Sequence, residues 1–306
     1  MQAAGSPRLS LNLIHDVSQV LEYKFMVNAL LAGSVVALMA GTVGWMMVVR
    51  RETFAGHTLA MMAFPGAAGA GLLGVPSALG YYVFCSAGAL SIGRLGGQRG
   101  SSWSERSAAT GAVQALALAI GFLFLSLYGG VLADLESLLF GNLLGISDSH
   151  LIALAVVAGL ALVLMAILWR PLLLASLDAD AAQARGVPVR ALSVGFLLVL
   201  GFAVAATSQI TGAMLVFALL VAPAAGAQAL TVRPGLSLAL TVLLALLVVW
   251  LGVGISYFSV YPAGFFITTI SFALYLLARL LSAAAHRYAG PRERRRAIAA
   301  AAGRLG

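Results

Sequence analysis

The chain is 306 residues long, 61% hydrophobic and only 9% charged, with a mean hydropathy of +1.02. A soluble domain carries roughly a quarter charged residues, so this composition excludes a water-soluble globular protein and describes a single polytopic membrane domain. The net charge of +8 comes from arginines set between apolar runs and at the C-terminus, the distribution of loops that face anionic lipid and fix topology rather than of a nucleic-acid-binding surface.

Residues 1–24 read as an N-terminal interfacial segment, with Leu11, Leu13, Ile14, Val17, Val20 and Leu21 on one helical face and Asp16, Ser18 and Glu22 on the other. The apolar run that follows, 25–49, is too long for a signal-peptide core and is read as a retained helix. About 20 apolar residues cross the hydrocarbon core. Nine stretches qualify, at 25–49, 57–73, 76–93, 108–131, 149–169, 191–210, 212–231, 236–255 and 262–282. The second and third are short and rich in Gly and Ala, with Pro65 and Pro76 in or beside them. The predicted fold is therefore all-α, a transmembrane helical bundle over residues 25–283 followed by a basic cytoplasmic tail at 284–306.

Counting Lys and Arg in alternate loops gives 16 on one side and 2, Arg8 and Lys24, on the other. This places the N-terminus outside and the C-terminus inside. Between the fourth and fifth stretches, residues 132–147 (LADLESLLFGNLLGIS) are too short to cross and are broken by Gly141, Asn142 and Gly145. They read as a re-entrant or interfacial segment on the outer side. The one cysteine, Cys85, lies in an apolar run and allows neither an intrachain disulfide nor a Cys-based metal cluster.

A lipid-embedded chain carries its function on the few polar groups it keeps at membrane depth. Within or beside the nine stretches the candidates are His57, Gln114, Thr207, Ser208, Gln209, Thr211 and Gln228, and no carboxylate lies inside a stretch. That inventory argues against a proton-coupled carrier and cannot assemble a catalytic triad or a carboxylate pair, so the chain is not itself an enzyme. Lys24 is the only lysine and there is no GxxxxGK[ST] loop. ATP, if it drives this protein, is hydrolysed by a partner.

Three segments stand out. Around the first chain reversal, GTVGWMMVVRRETFAGHTLAMM at 41–62 places His57 near the start of the second stretch, with Met61 one turn later and Met62 beside it. Imidazole and thioether bind soft or borderline cations, though packing or capping explains the same residues. At 170–190, RPLLLASLDADAAQARGVPVR reads as an inner loop holding a short helix. Asp178 and Asp180 lie near its start, Arg185 at its end, each sign matched to the helix dipole, and Gly186 stops it. Such a helix is either a docking knob for a cytoplasmic partner or a well-capped solvated connection. At 209–230, QITGAMLVFALLVAPAAGAQAL combines small residues such as Gly212 and Gly226 with Pro223. This composition suits either a pathway lining or tight helix packing.

In this order and spacing the three segments resemble the permease subunits of bacterial ABC importers for divalent metals, the zinc and manganese type. That family's pattern has a glycine-rich end of the first helix, an Arg-Arg pair and then G-D-T-L-x-H, against GTVGWMMVVRRETFAGHTL here. An LLFG-x-L element recurs at 138–143, a D-x-x-x-A-x-A-x-G-V element at 178–187, and a V-G-x-L-L-V-x-A-L-L-x-x-P-A-A run at 211–225. The similarity covers residues 26–283. It implies a multi-pass permease of the bacterial plasma membrane, dimeric with a second copy of itself, working with a cytoplasmic ABC ATPase and an extracytoplasmic metal-binding protein. Asp178, Asp180, Arg185 and Gly186 would form the coupling element, and His57, Met61 and Met62 would contact the ion. Gly212, Pro223 and Gly226 would serve packing or pathway. No permanently bound cofactor is implied, only a transported divalent metal. Where the family has its Asp and His this chain has His57 and Met61. The lost carboxylate disfavours hard manganese and favours zinc or copper-like ions. The alternative is a non-conducting membrane scaffold of the same fold, or a permease for a different substrate.

Overall fold

The computed structural model describes residues 19, 22–96, 103–128, 146–259 and 261–302, and every regular element among them is an α-helix. In chain order these are α1 (Lys24–Val49), α2 (Thr53–Leu73), α3 (Ser77–Leu95), α4 (Trp103–Tyr128), α5 (Asp148–Leu177), α6 (Ala179–Ala184), α7 (Val189–Thr211), α8 (Ala213–Leu230), α9 (Pro234–Tyr257) and α10 (Ala263–Ala302). Leaving out the short α6, the described helices follow the nine predicted stretches one for one. Of the interfacial segment at 1–24, residues 1–18, 20 and 21 fall outside the described residues, as do residues 132–145 of the segment at 132–147.

Length and apolarity together suffice for membrane crossing in six helices, Lys24–Val49, Ser104–Tyr128, Asp148–Leu177, Val189–Gln209, Pro234–Tyr257 and Ala263–Ala285. This corrects the expectation that all nine stretches meet that standard. The stretches at 57–73 and 76–93 are diluted by glycine, tyrosine and His57, and of the 18-residue α8 only Val216–Leu230 counts among the described residues. Several boundaries also shift: α4 starts at Trp103 rather than 108, and α10 continues to Ala302, through much of the segment expected as a tail at 284–306. α2 starts at Thr53, so His57 sits in its second turn. α5 continues through Pro171 to Leu177, giving up one backbone N–H and leaving the carbonyl of Ile167 without its helical donor.

α1 is the hub, packed against α5, α7, α8 and α9. It runs antiparallel to α9. Trp45 Nε1 donates to Ser237 Oγ at 2.9 Å near one end, Trp250 Nε1 donates to Ser34 Oγ at 2.8 Å further along, and Tyr23 meets Tyr257 at the other end. α2 turns away from α1, with which it makes slight contact, and packs on α3, α4 and α7. α8, α9 and α10 pack on one another.

Helix approach in lipid depends on small residues, because hydrophobic association between helices is weak there. A Cβ at Gly44 of α1 would collide with the backbone carbonyl of Leu220 in α8, and Gly66 and Gly80 bring α2 and α3 together backbone to backbone. Unbranched methionines fill the remaining irregular spaces, and Met26, Met39, Met46, Met47 and Met165 are fully buried. At the N-terminal ends of α1 and α5, Asp148 accepts from Lys24 Nζ at 2.7 Å and from Asn28 Nδ2 at 2.8 Å.

Candidate functional site

α2 carries His57 toward α8, where its ring meets Phe217 edge-on with centroids 5.0 Å apart. Its Nδ1 is buried and has no hydrogen-bond partner. A buried polar group left unpaired costs about 1–3 kcal/mol, so an orphaned imidazole nitrogen is an observation that asks for a ligand. His57 lies in the second turn of α2, close to the α1–α2 reversal. Two residues on, the Leu59 carbonyl accepts from Cys85 Sγ at 3.4 Å, and Cys85 lies near the midpoint of α3.

Met61, four residues beyond His57, shares its helical face and is half-buried. Met62 points elsewhere. It is 3% exposed and packs against Gly88 of α3, where an added Cβ would come within 3.0 Å of its side chain. Between them Thr58, fully buried, donates to Gln114 Oε1 at 3.0 Å and ties α2 to α4. The structure therefore brings His57 and Met61 to one face and gives Met62 a seating role.

The other polar groups at membrane depth are mostly spent on backbone. Gln228 Nε2 donates to the Trp45 carbonyl at 3.0 Å, Thr207 to Ala203 at 2.7 Å and Gln209 to Ala205 at 3.3 Å. Ser208 Oγ is buried and without a partner. The side chain of Thr211 is outside the described residues. Among the described residues no three His, Cys, Asp or Glu side chains cluster as a metal-binding group.

The second group of predicted residues forms α6 and its caps. Asp178 caps the helix, its Oδ1 accepting from the Ala181 N–H at 2.9 Å. Asp180 lies in the first turn and Arg185 follows the last. Gly186 has φ 78°, and the Val187 N–H reaches the Ala182 carbonyl at 3.0 Å while the Gly186 N–H reaches Gln183 at 2.9 Å. These two bonds make a Schellman stop, which needs the left-handed conformation glycine adopts freely. Asp178, Asp180, Arg185 and Gly186 are all exposed, while Ala182 is fully buried. α6 is thus anchored on one side and presents its charged residues on the other.

The third group organises α8. Gly212 separates α7 from α8 with φ 76° and ψ 159°, a region essentially closed to other residues. Pro223 lies buried inside α8, leaving the Leu219 carbonyl without its helical donor. Gly226 faces α10, where a Cβ would meet Ala278 at 3.4 Å. All three act in packing and helix geometry, and α8 also supplies Phe217 to His57.

One group was read as topology alone. Arg50 ends α1, but its side chain is only 7% exposed. Its Nε and Nη2 donate to Glu52 Oε1 at 3.2 and 2.9 Å, and Nη2 also donates to Ser193 Oγ of α7 at 2.8 Å. The guanidinium lies 5.1 Å from the ring centroid of Phe196. Burial pushes the Glu52 carboxyl above its usual range although Arg50, and Arg106 of α4, pull it down. Oε2 of Glu52 has no partner. The sequence signal was the glutamate placed directly after the arginine pair at a chain reversal.

With this geometry in place, the family model described as the ABC 3 transport family matches residues 22–282. The manganese transport system membrane protein MntC of Halalkalibacterium halodurans is 28% identical over 271 residues, covering 89% of this chain and 92% of that protein. The chelated iron transport system membrane protein YfeC of Yersinia pestis is 27% identical over 260 residues, covering 85% and 87%. Among solved structures, PsaBC from Streptococcus pneumoniae in complex with Fab superposes with a TM-score of 0.76 at 26% identity, covering 87% of this chain and 95% of that one.

Proposed function

We propose that this chain, which belongs to the ABC 3 transport family, moves a divalent transition-metal ion inward across the bacterial plasma membrane. The family makes it a multi-pass membrane permease subunit of an ABC importer and not an enzyme. The observation that carries the proposal is the buried, unpartnered Nδ1 of His57, on the face shared with Met61.

In this reading the protein works as a dimer with a second copy of itself. An extracytoplasmic binding protein delivers the ion and a cytoplasmic ABC ATPase drives the change of access. The chain crosses nine times with its N-terminus outside, in keeping with the 16 to 2 division of basic residues. His57 and Met61 contact the passing ion, and Met62 keeps α2 seated on α3. Asp178, Asp180, Arg185 and Gly186 form the face that meets the ATPase. Gly212, Pro223 and Gly226 let α8 approach its neighbours beside the path.

The donor chemistry selects among metals. Imidazole with thioether and no carboxylate favours zinc over manganese, whereas the relatives named above carry manganese and chelated iron in their names. ATP-dependent uptake into vesicles containing the chain, its ATPase and its binding protein tests this, with radiolabelled zinc, manganese, iron and copper compared in parallel with His57→Ala and Met61→Ala. Uptake of zinc that falls in both variants is the expected result. Uptake unchanged by either substitution removes the site and keeps the permease. Hydrolysis of ATP without uptake of any of the four metals favours a scaffold subunit or another substrate.

A further inference from the structure

We infer that Arg50 is a positioning residue that couples α6 to the helix carrying His57, an inference that rests on reading α6 as the coupling element. An arginine that serves topology alone keeps its head in water or among lipid headgroups. Arg50 does the opposite. Its guanidinium is buried, and its hydrogen bonds and ring contact go to two places, Glu52 at the chain reversal and Ser193 and Phe196 in the first turns of α7.

Those two places are the near ends of the two functional groups. α7 begins at Val189, three residues after the Gly186 that stops α6, so a push on α6 arrives first at the turns holding Ser193 and Phe196. On the other side, the Glu52 carbonyl accepts the Gly56 N–H at 3.0 Å, the opening hydrogen bond of α2, and His57 is the next residue. α1 and α2 make slight contact with each other, Gly56 of α2 lying against Met47 of α1 beside the reversal. The reversal itself is tightly made. Arg51 occupies the left-handed region at φ 57°, which is uncommon for a side-chain-bearing residue. The Glu52 N–H reaches back to the Met47 carbonyl at 3.0 Å. Arg50 bridges this reversal to α7 with a planar fork and a ring face, a combination that a lysine ammonium does not reproduce.

The decisive comparison is Arg50→Lys, which keeps the positive charge that topology requires and removes the fork. The full complex of chain, ATPase and binding protein is reconstituted in vesicles. Radiolabelled zinc, manganese and iron uptake, ATP hydrolysis and thermal midpoint are then measured for wild type, Arg50→Lys, Ser193→Ala and Asp178→Ala. For Arg50→Lys, ions carried per ATP fall about fivefold or more while hydrolysis stays within about twofold, the low end of typical coupling between sites. Ser193→Ala, which removes one of the contacts, moves the same ratio in the same direction by a smaller factor. Wild-type ratios in both variants overturn the inference, as does a loss in which uptake, hydrolysis and thermal midpoint fall together. Asp178→Ala, which uncaps α6, separates the premise. A lost ratio there beside a normal Arg50→Lys overturns the inference alone, and a normal ratio in Asp178→Ala overturns the coupling-element reading on which it stands.

Discussion

α1 and α5 are both long enough and apolar enough to cross a membrane, yet they occupy opposite positions in the bundle. Of the most apolar stretch of α1, 61% is buried within the protein, against 22% for α5, and α5 is the more apolar of the two. In water that order would be reversed. In lipid the solvent is itself hydrocarbon, so high apolarity marks the helix that faces it. Burial instead follows small residues that admit a neighbouring backbone and polar groups that need a partner. α1 meets its neighbours through Gly33, Gly41 and Gly44 and through Trp45 and Asn28 hydrogen bonds. α5 turns Ile152, Val156, Leu160, Val163 and Ile167 outward as one stripe at three- and four-residue spacing.

The largest test of this contrast pairs Gly44→Ala with Leu160→Ala. The added Cβ at Gly44 meets the Leu220 carbonyl, a backbone atom that cannot swing aside. The expected loss is about 3 kcal/mol or more, the upper range for overpacking, read by thermal unfolding in detergent. Leu160→Ala, on the outward stripe, should stay within about 0.5 kcal/mol. A cost at Leu160 as large as that at Gly44 would show the stripe covered by a second copy rather than by lipid.

A smaller test compares two buried hydroxyls. Thr58→Val removes the bond to Gln114 and should destabilise by about 1 kcal/mol. Ser208→Ala removes an oxygen that has no partner, so it should be neutral or slightly stabilising in the same unfolding assay. Equal costs at the two positions would mean that partnering does not decide the value of a hydroxyl in this bundle.

The smallest effect concerns Glu52, whose carboxyl is lifted above its ordinary 4.5 by burial, against the pull of Arg50 and Arg106. The folded state then holds this proton more tightly than the unfolded chain. Its contribution is complete below pH 4.5 and is lost as pH rises through the lifted value. The thermal midpoint of the wild type should therefore fall more with rising pH over that interval than that of Glu52→Gln. Parallel pH profiles would show that the two guanidiniums outweigh burial at this carboxyl.

Much of this was open to a reading of letters. Apolar run length located all nine long helices among the described residues, and their matching order follows from the local chemistry of helix and lipid. Asp178, Gly186 and the charges between them announced α6, because capping is satisfied within a few residues of chain. His57 and Met61 shared a face by spacing alone. The orphaned state of Nδ1 was not legible, since it depends on what α8 sets opposite. Met62 illustrates the limit, being adjacent to Met61 in sequence yet committed to Gly88 of another helix. Gln114, Gln228 and Thr207 read as possible functional polarity until the bundle supplied their hydrogen-bond partners.

The sequence by itself determined the membrane class, the helices, the caps of α6 and, through its motifs, the family, because these depend on composition and on contacts between near neighbours in the chain. The tertiary structure alone decided that α1 is the hub, that His57 Nδ1 lies buried without a hydrogen-bond partner, and that Arg50 is a buried bridge between the α1–α2 reversal and α7. Each of these is a contact between residues far apart in sequence, and in lipid such contacts are chosen by close approach and polar pairing, which hydropathy does not encode.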